Sequence, residues 1–256
     1  MNIATWNVNS IRARLDRAVA WLASRQPDVV CLQELKVVDD AFPVEAIRAA
    51  GYHAAFHGQK TYNGVAILSR AEPTDVACGL DDGVDDPQAR LIAATIDGVR
   101  VLSAYVPNGS EVGTDKYAYK LEWLARLRRY LDRTLDPAAP VALCGDFNVA
   151  RSDDEVASPE LWTNSVLCHP TVREALEAVR QWGFDDVFRT HHPDGGVYSW
   201  WDYRAGAFHR NEGLRIDHIF ATAPLATRCT AAEVDRDERK GAKPSDHAPV
   251  VATFEP

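Results

Sequence analysis

The chain has 256 residues, 46% hydrophobic, 25% charged and 9% aromatic, with a formal net charge of −9 at pH 7. Those values exclude a disordered, collagen-like or membrane-embedded chain, and no apolar run approaches the roughly 18 residues of a membrane span. The acidic balance disfavours a non-specific polyanion binder, although a local basic face and a bound cation would still let an enzyme meet nucleic acid.

Taken in chain order, Asn2–Val8 reads as a strand, and Ser10 as the N-cap of a helix with inner face Ile11, Leu15, Ala18, Val19 and Leu22, stopped by Pro27. Strands are expected at Val29–Gln33, Tyr52–His57, Gly64–Ser69, Arg90–Ile96 and Val99–Val106. A long helix fits Asp115–Leu135, with Tyr117, Leu121, Leu124, Leu127, Leu131 and Leu135 inward. Pro140–Cys144 reads as a strand, Val172–Trp182 as a helix, and Leu214–Ala221, Thr227–Val234 and Val250–Phe254 as strands. No linker divides the chain, so one domain over residues 1–256 is expected. Many strands without strict βα alternation predict an α/β protein of two packed sheets with helices outside. A weak internal echo, ThrTrpAsnVal at 5–8 and AspPheAsnVal at 146–149, closes two apolar strands with an Asn. The five cysteines (Cys31, Cys78, Cys144, Cys168, Cys229) never form CxxC, and the opening MNIATWNVN carries no secretory pattern. Both point to a cytoplasmic protein without a zinc site or disulfide framework.

Acids and amides gather at strand ends: Asn7 and Asn9, Glu34, Asp146 and Asn148, Asp217 and His218, Asp246 and His247. Taken singly each has a plainer reading, such as an Asx-turn at Asp146–Asn148, a solvated Glu34–Lys36 pair or a loop histidine at His247. Those readings weaken jointly, because they would have to hold at five separated strand ends. Ionised carboxylates beside a core need a partner or a cation. Oxygen donors without Cys–His spacing favour Mg²⁺ first and Mn²⁺ second. Such a set suits phosphate ester hydrolysis, with an Asp or His managing the proton. No GxxxxGK[ST], GxSxG or HExxH is present, which argues against P-loop enzymes, α/β-hydrolases and zincins.

Several motifs then run in a familiar order: TrpAsnValAsn (6–9), LeuGlnGluLeuLys (32–36), HisGlyGlnLys (57–60), TyrValProAsnGly (105–109), GlyAspPheAsn (145–148), SerTrpTrpAspTyrArg (199–204), LeuArgIleAspHis (214–218) and SerAspHisAlaProVal (245–250). In these the chain resembles, over essentially its whole length, the exonuclease III type apurinic/apyrimidinic endonucleases of the endonuclease/exonuclease/phosphatase superfamily. The resemblance implies a four-layer αββα sandwich of two mixed sheets. It also implies Mg²⁺-dependent cleavage of double-stranded DNA 5′ to abasic sites, with 3′→5′ exonuclease and 3′-phosphatase activities in base excision repair. Position by position, Glu34 matches the principal metal ligand, with Asn7 and Asp246 as nearby supports. Asp146 matches the acid handling the proton of water or leaving group and is grouped, with Asn148 that orients it, at the metal. Tyr105 matches the phenol beside the scissile phosphate, and His247, oriented by Asp217, the phosphate-contacting histidine. Trp200, Leu214 and Ile216 match a pocket for the flipped abasic sugar, and Trp201 and Arg204 a loop that probes the duplex. A basic face of Lys60, Arg90, Arg204, Arg210 and Arg215 is expected on a monomer. Ser10, Asn63, Asn108 and the segment Arg151–Pro170 depart from the family pattern. The rival readings are a phosphatase of the same superfamily acting on small or lipid phosphates, and a non-catalytic DNA-binding module.

Overall fold

The structure, a computed structural model, describes residues 1–256. The first half of the chain forms β1 (Asn2–Asn7), α1 (Leu15–Arg25), β2 (Val29–Gln33), α2 (Val44–Ala49), β3 (His53–His57), β4 (Val65–Ser69), β5 (Thr74–Cys78), β6 (Leu91–Ile96) and β7 (Val99–Tyr105). There follow α3 (Asp115–Thr134), β8 (Val141–Asp146), α4 (Pro159–Trp162), α5 (Pro170–Arg180), β9 (Phe184–Asp186), α6 (Val187–His191) and α7 (Ala207–Arg210). The chain ends with β10 (Asp217–Thr222), α8 (Ala223–Ala226), β11 (Cys229–Val234) and β12 (Val250–Phe254). Two six-stranded mixed sheets result, ordered β11-β12-β1-β2-β4-β3 and β5-β6-β7-β8-β10-β9.

Alternation along the strands builds the layers. Ile3, Cys31, Val101 and Cys144 point into a core between the sheets. Their neighbours Ala4 and Val30 face outward under α1 and α2, beside Trp21, Leu22 and Ile47. Leu102 and Leu143 likewise face outward against α3 and α5, among Trp123, Leu127, Leu176 and Val179. Central strands buried on both faces read as continuous apolar runs, which is why β2, β4 and β8 are legible without alternation. The expected four-layer αββα sandwich is what the chain forms.

Counting outward from β1 and β8, the sheets share one plan. Each central strand has a parallel neighbour (β2 or β7), then two antiparallel strands beyond it. On the other side each has two antiparallel strands, β12 and β11 or β10 and β9. The echo at 5–8 and 146–149 thus marks the ends of equivalent strands.

The sequence boundaries need correction in places. The first helix begins at Leu15, not after Ser10. The amides of Ser10 and Ile11 donate to the carbonyls of Glu34 and Leu35, at 2.8 and 3.1 Å, so the chain is still paired there and cannot start a helix. Leu214 bridges Trp200 and Val156, so β10 begins only at Asp217. The short elements α2, β5, β9 and α6 carry too few periodic residues to be read from sequence. Arg215, expected on a basic face, is buried. It pairs with Asp186 at 2.6 Å and with Glu155, and Arg151 and Arg189 complete the network.

That network sets an acid response. Burial opposes ionisation of Asp186 and Glu155, but Arg215 overrides it and holds both below their ordinary values. The buried His218 is pushed down to about 4 from 6.5, by desolvation and then by Arg215. Below pH 6.5 the unfolded chain therefore takes up a proton at His218 that the folded chain refuses until about pH 4, and stability is lost across that window. Other buried groups titrate there too, so the readout is a difference. Relative to the native protein, His218→Gln should gain up to about 3 kcal/mol as pH falls from 6.5 to 4 in urea denaturation. A difference that is flat with pH would refute this assignment.

Candidate active site

The C-terminal ends of β1, β2, β7 and β8 emerge at one edge of the sandwich. β7 and β8 lie close enough there to require Gly145, since a Cβ on it would stand 1.9 Å from the Ala104 carbonyl oxygen. Tyr105 and Asp146 are thereby paired in parallel register. Glu34 follows β2 with φ 53°, and Asn9 and Asn148 have φ 45° and 51°. Left-handed backbone at non-glycine residues costs of order 1–3 kcal/mol each and marks loops shaped by their surroundings.

Asn7 joins the two sheets. Its Nδ2 donates to Glu34 Oε1 at 2.8 Å and to Asp146 Oδ2 at 2.9 Å. Glu34, Asp146 and His247 each offer a ligand atom within 4.8 Å of the others. The three are not equivalent. His247 Nδ1 lies 2.9 Å from Asp217 Oδ2, and Ser199 Oγ donates to that same oxygen at 2.6 Å. Burial alone would lower the imidazole, but Asp217 and then Asp146 outweigh it and lift it to about 10. A cationic imidazole is a donor, not a metal ligand. A hard cation could then take the carboxylate oxygens of Glu34 and Asp146, to both of which Asn7 Nδ2 donates. Lys36 Nζ, 2.8 Å from Glu34 Oε2, already brings positive charge to that carboxylate.

Asp146 is pushed up to about 7, chiefly by burial, with His247 pulling it down and Asp217 pushing it up. Its Oδ2 lies 3.7 Å from His247 Nε2. The Tyr105 phenol is raised well above its ordinary value by burial and then by Glu34 and Asp146, so it remains protonated. The site thus sets a carboxylate poised near neutrality beside a fixed cation and a phenol.

The remaining expected residues fall into two groups. Asp246 accepts from Asn9 Nδ2 at 2.9 Å and Trp200 Nε1 at 3.1 Å, so both its oxygens are spent on orienting neighbours. Asn148 donates to the Val106 carbonyl and accepts from Asn108 Nδ2, each at 3.0 Å. Half-buried Trp200 meets the edge of Trp162 with ring centres 5.9 Å apart. Leu214 and Ile216 belong to the core against which Trp200 packs. Trp201 is not on the surface: it is 1% exposed, with its ring edge-on to Phe208 and its N–H on Asn211. It supports the loop from within, where the sequence pattern placed it against a duplex. Arg90 is also nearly buried, with its guanidinium 4.9 Å from the Tyr105 ring centre and its donors on Gln88 and the Tyr105 carbonyl. Lys60 and Arg204 are exposed, Arg204 in an ion pair with Asp202. Sequence reasoning missed Ser199 and Lys120. Lys120 left a signal, because it sits at helical spacing among Tyr117, Leu124 and Leu127 on the inner stripe of α3. Burial pulls it down to about 7 from 10.5, against Asp146, which raises it.

Residues 4–247 match the endonuclease/exonuclease/phosphatase family. The chain belongs to that family. Exodeoxyribonuclease III of Haemophilus influenzae is 36% identical over 266 aligned positions, covering 99% of this chain and all of that protein. An AP endonuclease from Archaeoglobus fulgidus superposes with a TM-score of 0.97 at 45% identity, with both chains fully covered. A 3′ phosphatase from Neisseria, solved with a product DNA hairpin, gives 0.96 at 42% identity over 100% of this chain and 99% of that one.

Asp217 accounts for the charge on His247. With the native pair, the folded protein holds its imidazole proton to about pH 10, so this stabilisation is complete below 6.5 and lost as pH rises through 10. Asp217→Asn should move that loss down by more than one pH unit. Imidazole NMR shifts followed from pH 6 to 10 would show it; an unmoved titration would assign the shift to other groups.

Proposed function

We propose that this protein is a DNA repair phosphodiesterase that nicks double-stranded DNA 5′ to abasic sites and removes nucleotides and phosphates from 3′ ends. It acts as a one-domain monomer in the cytoplasm. The observation that carries this reading is the opposition of an Asn7-bridged carboxylate pair, Glu34 and Asp146, to a His247 held cationic by Asp217. A phosphodiester needs those two things side by side: positive charge on its non-bridging oxygens and a group to carry the proton of water or the leaving alcohol. The activities of the similar nucleases, and the DNA hairpin held by the Neisseria phosphatase, point the same way.

Glu34, with Asp146 and Asn7, would hold Mg²⁺ or, as a substitute, Mn²⁺, which supplies charge neutralisation at the phosphate. His247 donates from Nε2 to a non-bridging oxygen and keeps that charge because Asp217, itself held by Ser199, pairs with Nδ1. Asp146, near neutrality in its proton affinity, takes the proton from water or returns it to the leaving oxygen. Tyr105 donates its phenol proton as a hydrogen bond to the same phosphate, steadied by Arg90 behind its ring. Asn148 orients the group on Asp146, since its backbone N–H donates to Asp146 Oδ1 at 2.9 Å. Asp246 aligns Trp200, and Trp200 over Leu214 and Ile216 forms the apolar wall against which a sugar lacking its base would rest. Extrusion costs least where no base is stacked, so such a wall selects abasic sites. Lys60 and Arg204 take flanking phosphates.

Matched abasic, intact, recessed and 3′-phosphate duplexes, assayed with Mg²⁺ and with EDTA, test this. The expected result is metal-dependent cleavage of the abasic, recessed and 3′-phosphate substrates and sparing of internal sites in intact duplex. Metal-independent cleavage of all four, or preference for an inositol phosphate, would overturn it. Asp146→Asn should lower kcat by ~10²–10⁴ with DNA affinity nearly unchanged. Arg204→Ala should weaken affinity and its salt dependence while sparing kcat.

A further inference from the structure

We propose that Lys120 is a positioning residue for phosphodiester cleavage, its ammonium fixing from beneath the loops that carry Asn108 and Asn148. This inference rests on the functional reading above. Lys120 lies on the buried face of α3 and is 0% exposed. Its Nζ donates to three backbone carbonyls, Asn108 at 3.1 Å, Asn148 at 2.7 Å and Val166 at 2.7 Å. Three acceptors match the three protons of an ammonium group. The carbonyls come from three separate connections, β7 to α3, β8 to α4, and α4 to α5. One side chain therefore pins three loops that no strand pairing holds together.

The hold falls where the site needs it. Asn148 has left-handed backbone, φ 51°, and its amide group is clasped by the Val106 carbonyl and Asn108 Nδ2. The backbone carbonyls of both Asn108 and Asn148 are in the grip of the same ammonium. Gly109, with φ 93°, lets its loop lie over the lysine stem: a Cβ there would approach Lys120 Cδ to 3.0 Å. An apolar side chain at position 120 would extend the helix stripe at lower desolvation cost. What the ammonium adds is the placement of the Asn148 carboxamide, which the Val106 carbonyl and Asn108 then hold.

The test is a double-mutant cycle on metal-dependent cleavage of abasic duplex, with thermal melting in parallel. Lys120→Met should lower kcat about tenfold to a hundredfold, the scale of a misplacement near 1 Å, with KM within about threefold. Lys120→Arg should recover part of the loss. In an Asn148→Ala background, Lys120→Met should cost no more than about twofold in kcat, since the carboxamide that Lys120 positions is gone, while its melting penalty stays the same. Native kcat in Lys120→Met, or a full penalty in both backgrounds, would overturn the proposal. Should Lys120→Met fail to fold, Gly109→Ala, which presses on the lysine stem, takes its place in the cycle: a kcat loss that Asn148→Ala abolishes supports the proposal, and native kcat or an undiminished loss overturns it. A native protein inactive on every DNA substrate would instead overturn the functional reading, and the native control shows which has failed.

Discussion

The Asn7 carboxamide, donating to Glu34 on its own sheet and to Asp146 on the other, is the contact on which the geometry of the site turns. It works only if two sheets, each free to slide over an apolar core, keep one register at their common edge. Behind it, a short polar line crosses that core. Gln33 Nε2 donates to Thr5 Oγ1 and to Ser103 Oγ, each at 3.1 Å, and Ser103 donates to the Leu32 carbonyl. Each such bond adds only about 1 kcal/mol net, yet leaving any of these buried groups unpaired costs more. A slide of one sheet over the other would break the two bonds that Ser103 makes across the core. The line therefore acts less as glue than as a registration mark, one residue short of Glu34 and two short of Tyr105 and Asn7.

Electrostatic strain at the edge follows from the same arrangement. Four acids, Glu34, Asp146, Asp217 and Asp246, converge where strands end, and burial penalises the charge on each buried member. The structure resolves this by giving each a different neighbour. Asp217 takes His247 and Ser199, Asp246 takes Asn9 and Trp200, Glu34 takes Lys36, and Asp146 is left with an amide, a backbone N–H and an imidazolium at 3.7 Å. Asp146 is therefore the acid whose proton affinity rises. Chemistry concentrates on the carboxylate that the others leave least satisfied.

Much of this was legible in the sequence, for a definite reason. Central strands buried on both faces write themselves as ValValCysLeuGln and ValAlaLeuCysGly, and a polar residue ending such a run must sit at the sheet edge. Order along the chain then supplied the site, because edge residues on neighbouring strands meet without further information. What was not legible depends on the side a residue faces. Arg215 alternates with Leu214 and Ile216, and its neighbours' pocket role suggested a surface that the strand pleat denies it. Trp201 differs from Trp200 by one position and so turns inward. Ser199 and Lys120 act through hydrogen bonds to residues that only the fold brings near, and the sole trace in the sequence is the place of Lys120 on the inner stripe of α3.

Removing Arg90 and Arg215 from the basic face changes how a chain of net charge −9 can meet a polyanion. Exposed cations near the site are few, and Arg204 and Arg210 are each paired with an adjacent acid, Asp202 and Glu212. Such solvent-exposed pairs are worth little, so exchanging the carboxylate for a phosphate costs little. On the proposed function, affinity built on so few exchangeable contacts would have a shallow salt dependence and leave intact duplex weakly held. Discrimination then shifts from the flanks to the centre. On the proposed function, the fixed charge of His247, the carboxylate pair that would bind a cation, and the wall at Trp200 would favour a phosphate next to a missing base or a free end, where the strand can bend in without unstacking. For an enzyme with the proposed function, which would have to ignore almost all the DNA it touches, a net negative chain with the fixed charge of His247 at its site would be a working property of the fold.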